Sequence, residues 1–192
     1  MKDLLVVVDI VNGFVNEGAL ADKRINKITP NIEKIIKKAK LAGINIVAFK
    51  DCHSMQDEEF KTFPPHCLKG TSESELIPEL KKYEKDMLLI PKNTTNGFIT
   101  PTFFKIAKTI HYDRVFVVGC CTDICVKDFV DSYLAFIQKY GLKTQIVVLE
   151  DACYTFDGPN HNAEHEHKKA ISFMKHNGAK IAQVKNCHCT KE

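Results

Sequence analysis

The residues able to do chemistry in this chain are few and lie far apart in sequence. Cys125 sits in Thr122-Asp123-Ile124-Cys125-Val126, Asp9 follows the apolar run Val6-Val7-Val8, and Lys92 follows Ile90-Pro91. A thiol, a carboxylate and an ammonium are the parts of an activated nucleophile: an attacking sulfur, an acceptor for its proton, and a charge that holds both. Cys125 is predicted in the first turn of a helix, where the dipole and free N–H groups favour thiolate. Its other reading is a small buried hydrophobe, the common state of a free cysteine. Asp9 at a strand end is costly unless paired or functional. Lys92 is its natural partner, either in a structural ion pair or in a site.

A second set has the composition of a metal site. Asp51-x-His53 places a carboxylate and an imidazole two residues apart in extended chain, so both can point the same way. His66 follows the stiff segment Phe63-Pro64-Pro65, and Glu58 and Glu59 lie between. One aspartate, one or two glutamates and two histidines suit Zn, Fe or Mn. Asp-x-His alone is a weak signal, and nothing local chooses Glu59 over Glu58. His161 and His165 have i, i+4 spacing and His167 follows; an exposed helix start explains all three. Cys187-x-Cys189 with His188 has too few histidines nearby for a zinc signature. Cys52 and Cys67 flank the proposed ligands and read as packing residues.

The elements that must position these groups follow from periodicity. Leu4–Ile10, Ile44–Phe49, Met87–Ile90, Arg114–Val118, Gln145–Leu149 and Lys180–Val184 read as strands. Thr29-Pro30 predicts an N-cap with proline at the first helical position, and Ile32, Ile35, Ile36 and Ala39 give the helical stripe up to Gly43. Further helices are predicted from about Pro101 to Ile110, from Asp123 to Tyr140 and from about Asn162 to Asn177. Strands apolar on both faces, alternating with amphipathic helices, imply a doubly wound α/β fold with a mainly parallel six-stranded sheet and helices on both faces. Residues 1–192 then form a single domain. Asp9, Asp51, His53, Lys92 and Gly119–Cys125 all fall at the carboxyl ends of predicted strands, the edge where such sheets bind ligands. The stretch 51–74 lacks periodicity, and a loop that long in a compact domain is usually functional.

Composition narrows the function. The chain has 192 residues, 44% hydrophobic and 27% charged, with a formal net charge of +3. Its guanidinium groups are Arg24 and Arg114 alone, a poor supply for nucleic-acid readout. No apolar run reaches the ~18 residues of a membrane helix, and Met1-Lys2-Asp3-Leu4-Leu5 does not look like a signal peptide. The expected location is therefore the cytoplasm, the expected partner a small molecule, with neither nucleic acid nor membrane involved. The 8 cysteines should stay reduced there and serve metal binding or catalysis rather than a disulfide framework.

At these residues the chain resembles the isochorismatase-like cysteine hydrolases and, within them, the nicotinamidases. Val6-Val7-Val8-Asp9 with Asn12-Gly13-Phe14 is similar to the family's first strand and catalytic aspartate. Ile90-Pro91-Lys92 is similar to the strand with the catalytic lysine, and Gly119-Cys120-Cys121-Thr122-Asp123-Ile124-Cys125-Val126 to the nucleophile segment, with a cis peptide at Cys120-Cys121. The resemblance implies Asp9, Lys92 and Cys125 as catalytic residues and an oxyanion hole of the Cys121 and Cys125 N–H groups. It implies one divalent metal (Zn, with Fe or Mn as alternatives) on Asp51, His53, Glu59 and His66. It also implies Phe14 and Phe63 around a pyridine ring, Phe63 standing where many members have tryptophan. Asn93–Phe98 departs from the family's usual wording. Members are often dimeric or larger, which admits a homo-oligomer. The implied reaction is hydrolysis of nicotinamide to nicotinate and ammonia through a thioester. The rivals are a relative acting on another small amide, such as a ureido or carbamoyl compound, and a non-catalytic metal or thiol-redox protein.

Overall fold

A computed structural model describes residues 1–187; His188 and Cys189, two members of the tail cluster noted above, lie outside the described residues. Six strands, β1 (Asp3–Val8), β2 (Asn45–Asp51), β3 (Leu88–Lys92), β4 (Arg114–Gly119), β5 (Gln145–Cys153) and β6 (Lys180–Ala182), form one sheet in the order β3-β2-β1-β4-β5-β6. Every neighbouring pair is parallel. The helices are a short α1 (Asn12–Val15), α2 (Thr29–Leu41), a short α3 (Pro78–Lys81), α4 (Pro101–Thr109), α5 (Lys127–Tyr140) and α6 (Ala163–His176).

Side-chain alternation along the strands splits the apolar residues into two cores. Leu5 and Val7 of β1 and Ile46 and Ala48 of β2 pack with Ile32, Ile35, Ile36 and Ala39 of α2. Leu4, Val6, Val8, Val47 and Phe49 pack on the other face with Phe103 of α4, Phe129 and Tyr133 of α5, and Met174 of α6. The rings of Phe103 and Phe129 lie 5.4 and 5.5 Å from that of Phe49. Complete burial of each such ring contributes about 1.5–3 kcal/mol. Helices thus cover both faces of a six-stranded, wholly parallel sheet, the doubly wound arrangement read from the pattern.

The differences from sequence expectation lie at element ends. β1 stops at Val8 rather than Ile10 because Asp9 takes a left-handed conformation, φ +50°, which leaves the extended path. β2 and β3 run on to Asp51 and Lys92, so these two side chains belong to strand ends rather than to the loops after them. β5 continues past Leu149 to Cys153 across a register shift against β4 between Val117 and Gly119. β6 ends at Ala182 instead of Val184, which begins a 3-10 turn. Thr29 does not cap α2: a 3-10 turn, Lys23–Ile28, leads directly into the helix, and the Thr29 hydroxyl bonds to the Asn26 side chain.

Candidate active site

β1 is the point where the winding reverses, since β2 and β3 extend the sheet to one side and β4 to β6 to the other. Ligands bind at such a switch, outside the carboxyl ends of the strands. Asp9 follows β1 there, and the Cys125 segment follows β4. Two backbone features weld these ends together. Gly119 has φ +128°, and a Cβ there would run into the Val8 backbone, so glycine is required. The Cys120 N–H then donates to the Val8 carbonyl at 3.0 Å and its Sγ lies 3.1 Å from the Asp9 carbonyl oxygen. The Cys120-Cys121 peptide is cis.

Cys125 does not occupy the first turn of an α-helix as expected. It lies in a π-helical turn, Thr122–Val126, that precedes α5, a device found often at functional sites. Its Sγ is 3.9 Å from Lys92 Nζ. Lys92, buried at the end of β3, also lies 2.8 Å from Asp9 Oδ2 and 2.7 Å from Asp51 Oδ1, and donates to the Thr94 carbonyl at 2.8 Å. One ammonium therefore joins three groups drawn from β1, β2 and the turn after β4.

The charge balance of this cluster decides protonation. Burial alone would lower the Lys92 pKa, but Asp9, Cys125 and Asp51 around it hold it well above its ordinary value. Burial pushes the Asp9 carboxyl up to about 6; Lys92 opposes the shift and the Asp51 charge adds to it. Neither Asp9 oxygen has a hydrogen-bond partner of good geometry, although Oδ2 faces the ammonium. Burial also pushes the Cys125 thiol well above its usual range, with Lys92 opposing and Asp9 and Asp51 reinforcing. Burial beside two carboxylates therefore works against the thiolate that a helix start favours, while Lys92 works for it. Beside the sulfur stands a carboxylate whose affinity for a proton burial has raised.

On the other side of Asp51 are the histidines. Oδ2 of Asp51 lies 3.0 Å from His53 Nε2 and 3.0 Å from His66 Nε2, and the three atoms lie within 4.8 Å of one another. His66 Nδ1 faces the Pro64 carbonyl at 2.8 Å and His53 Nδ1 faces Asp57 Oδ2 at 3.1 Å. Both partners are acceptors, so each Nδ1 carries the hydrogen and each Nε2 is turned toward Asp51. A buried carboxylate oxygen and two buried ring nitrogens gathered at one point are a donor set that fits a divalent cation. The charge count agrees, because Asp9, Asp51 and Glu59 outnumber Lys92. Glu59 is more distant, its Oε1 4.0 Å from His66 Nε2; burial and the Asp51 charge raise its pKa.

A cavity of about 540 Å³ opens onto these groups, lined among others by Cys121, Cys125, His66, Glu59, Phe14 and Phe63. The Phe14 and Phe63 ring centroids are 5.6 and 6.3 Å from that of His66. Gly13 lets α1 press against the residue after His66: a Cβ there would sit 2.5 Å from Cys67 Sγ. Of the residues read from the sequence as site residues, Phe14, Glu59, Phe63, His66, Cys121 and Cys125 line this cavity, and Asp9, Lys92, Asp51 and His53 are buried beside them in contact with Cys125 or His66 or with one another.

Several neighbours escaped the sequence reading. Asp57 orients His53, and Ser54 N–H and Oγ hold that carboxylate; the Ser54-x-x-Asp57 spacing was the available signal. The Thr94 carbonyl that receives Lys92 is backbone and leaves no trace in residue type. Arg24 and Asp157 meet at the cavity rim, 2.5 Å apart, yet stand far apart in sequence. His165 is exposed and takes no part, whereas His161 and His167 bond to Asp123 and Thr122 of the turn that carries Cys125.

Comparison with known proteins agrees with this layout. The Isochorismatase domain family matches residues 3–186. Nicotinamidase 1 of Arabidopsis thaliana is 35% identical over 178 residues, covering 83% of this chain and 72% of its own length. Among solved structures, an N-carbamoylsarcosine amidase from Thermoplasma acidophilum is 28% identical with a TM-score of 0.81, covering 98% of this chain and 99% of that one. A pyrazinamidase of Pyrococcus horikoshii, solved with zinc, is 27% identical with a TM-score of 0.76, covering 95% and 99%. With the match spanning every strand and both halves of the switch point, the chain belongs to the isochorismatase family.

Proposed function

We propose that this chain is a nicotinamidase, hydrolysing nicotinamide to nicotinate and ammonia through a thioester on Cys125. The observation that carries the reading is the buried trio Asp9, Lys92 and Cys125, whose cysteine lines a cavity together with Phe14, Phe63 and His66 of a donor set fit for metal. The relationship to Nicotinamidase 1 supports the substrate. In this reading residues 1–192 work as one hydrolase domain, with 51–74 as its metal-site loop.

The chemistry follows from the protonation states. The Cys125 thiol attacks the carboxamide carbon while Asp9, ionised above about pH 6, takes its proton; such general-base help contributes roughly 10²–10⁴-fold. Lys92 stays charged and holds sulfur and carboxylate together. Cys121 and Cys125 N–H groups receive the oxyanion, each donor contributing roughly 10²–10³-fold. Asp9 returns the proton to departing ammonia, then takes one from the water that opens the thioester. Phe14 and Phe63 supply flat apolar faces for the ring. Asp51, His53 and His66 would hold a zinc, iron or manganese ion, with Glu59 beside them; when bound, the ion supplies a Lewis acid able to anchor a heteroaromatic nitrogen.

The test is ammonia release from nicotinamide by purified protein, beside N-carbamoyl and ureido compounds, with and without chelator. The reading expects nicotinamide to be the preferred substrate and the chelator to weaken its turnover. Preference for a carbamoyl compound would move the chain toward the amidase it resembles in fold; no turnover of any amide would favour a non-catalytic metal or thiol protein.

A further inference from the structure

His161 lies outside the groups that the proposed reaction uses, yet it touches both the turn that carries Cys125 and a wall of the cavity. Its Nε2 is 2.7 Å from Asp123 Oδ2, in the turn that carries Cys125. Its Nδ1 is 3.0 Å from the Phe156 carbonyl. Its ring stacks on the Phe156 ring, centroids 3.9 Å apart and planes 4° apart, and Phe156 lines the cavity. Asp123 and Phe156 are otherwise on separate segments, one after β4 and one after β5.

Both hydrogen-bond partners of the ring accept: a carbonyl oxygen at Nδ1 and a carboxylate at Nε2. The ring donates from both nitrogens, which makes it an imidazolium, and a cation over an aromatic face is an attractive arrangement. The other Asp123 oxygen, Oδ1, is buried without a hydrogen-bond partner, so removing His161 strands a carboxylate inside the nucleophile turn. The rest of that turn is tied elsewhere: the Thr122 N–H donates to the Tyr154 carbonyl at 3.0 Å and its hydroxyl meets His167 Nδ1 at 2.9 Å.

We propose that His161 is a positioning residue: its bond to Asp123 sets the nucleophile turn, and its stack on Phe156 sets the third aromatic wall of the cavity. Its kinetic consequences rest on the nicotinamidase reading; the tie itself does not. Two substitutions separate the two halves. His161→Phe keeps a ring over Phe156 and loses the donor to Asp123. His161→Gln keeps a donor and loses the ring.

The experiment measures kcat and KM for nicotinamide in both variants, and the alkylation rate of Cys125 by iodoacetamide, mapped by peptide. For H161F the expected result is kcat and Cys125 alkylation both lowered about tenfold with KM within about twofold, the loss of one charge-assisted hydrogen bond. For H161Q it is KM raised about three- to tenfold with kcat and alkylation within about twofold, the loss of one ring stack. Variants that shift kcat and KM together, or leave both unchanged, overturn the proposal, as does unaltered Cys125 alkylation in H161F. If H161F does not fold, an unchanged KM in H161Q still overturns it. If the unsubstituted protein releases no ammonia from nicotinamide, the functional reading fails while alkylation still decides the tie.

Discussion

His53 and His66 stand against Asp51, His161 and His167 against the turn that carries Cys125. Both pairs are anchored by hydrogen bonds and both neighbour a charged cluster, yet they are built for different work. In the first pair each Nδ1 is spent on an oxygen acceptor, and both Nε2 atoms converge on Asp51 Oδ2 at 3.0 Å. In the second, His161 spends both nitrogens, on Asp123 and the Phe156 carbonyl, and His167 gives Nδ1 to Thr122. The i, i+4 pair His161 and His165 has the more familiar metal-site spacing, but His165 points to solvent. What separates a ligand from a brace is therefore the unspent nitrogen and where it points, a property that spacing does not encode.

The comparison extends to the nucleophile between the two pairs, and substitutions there should have the largest effect. Cys125→Ala is expected to abolish ammonia release, a fall of roughly 10⁴-fold or more in kcat, while metal content by elemental analysis stays unchanged. Asp9→Asn should lower kcat/KM roughly 10²–10⁴-fold by removing the proton acceptor. Its stability should move the other way. The Asp9 pKa is raised on folding, from 3.8 to about 6, so the native state holds the proton more tightly. The stability from that protonated form is present below about pH 4 and is lost as pH rises through about 6. At neutral pH the asparagine variant should therefore melt no lower than the parent in a thermal scan.

The histidine comparison itself can be broken by metal analysis. Asp57→Ala leaves His53 Nδ1 without its partner and is expected to weaken metal binding about 10–100-fold, read by competition with a chromogenic chelator. The same titration on His167→Ala should give an unchanged affinity. Equal losses in both would erase the distinction between ligand and brace. The smallest effect is a shape: kcat/KM should rise with pH through an apparent pKa near 6 as Asp9 ionises, because this parameter reports the free enzyme. A profile flat from pH 5 to about 8 would remove Asp9 from the role of base.

Much of this was legible in the sequence, for physical reasons that differ by residue. The alternation of β-type and helix-type runs fixes a parallel sheet, and a parallel sheet sends the residues after its strands to one edge. Asp9, Lys92 and Cys125 could thus be placed together before their distances were known. Asp51, His53 and His66 were legible as a candidate ligand set because Pro64 and Pro65 stiffen the approach to His66. The balance at Cys125 was only half legible: the helix start argues for thiolate, whereas the burial that pushes the thiol up depends on the tertiary fold. The His161–Asp123 tie spans 38 positions, and the Thr94 carbonyl is the same atom in any residue. Neither leaves a pattern in residue type. Element ends moved where a tertiary bond overrode propensity, as at Asp9 and along β5.

The measurement closest to the central claim is rapid acid quenching of the protein with nicotinamide, followed by peptide mass mapping. The account expects a nicotinoyl group as a thioester on Cys125, absent from Cys125→Ala, formed as ammonia appears. Ammonia released with the acyl group on another residue, or with no acyl-enzyme at any quench time, would contradict it.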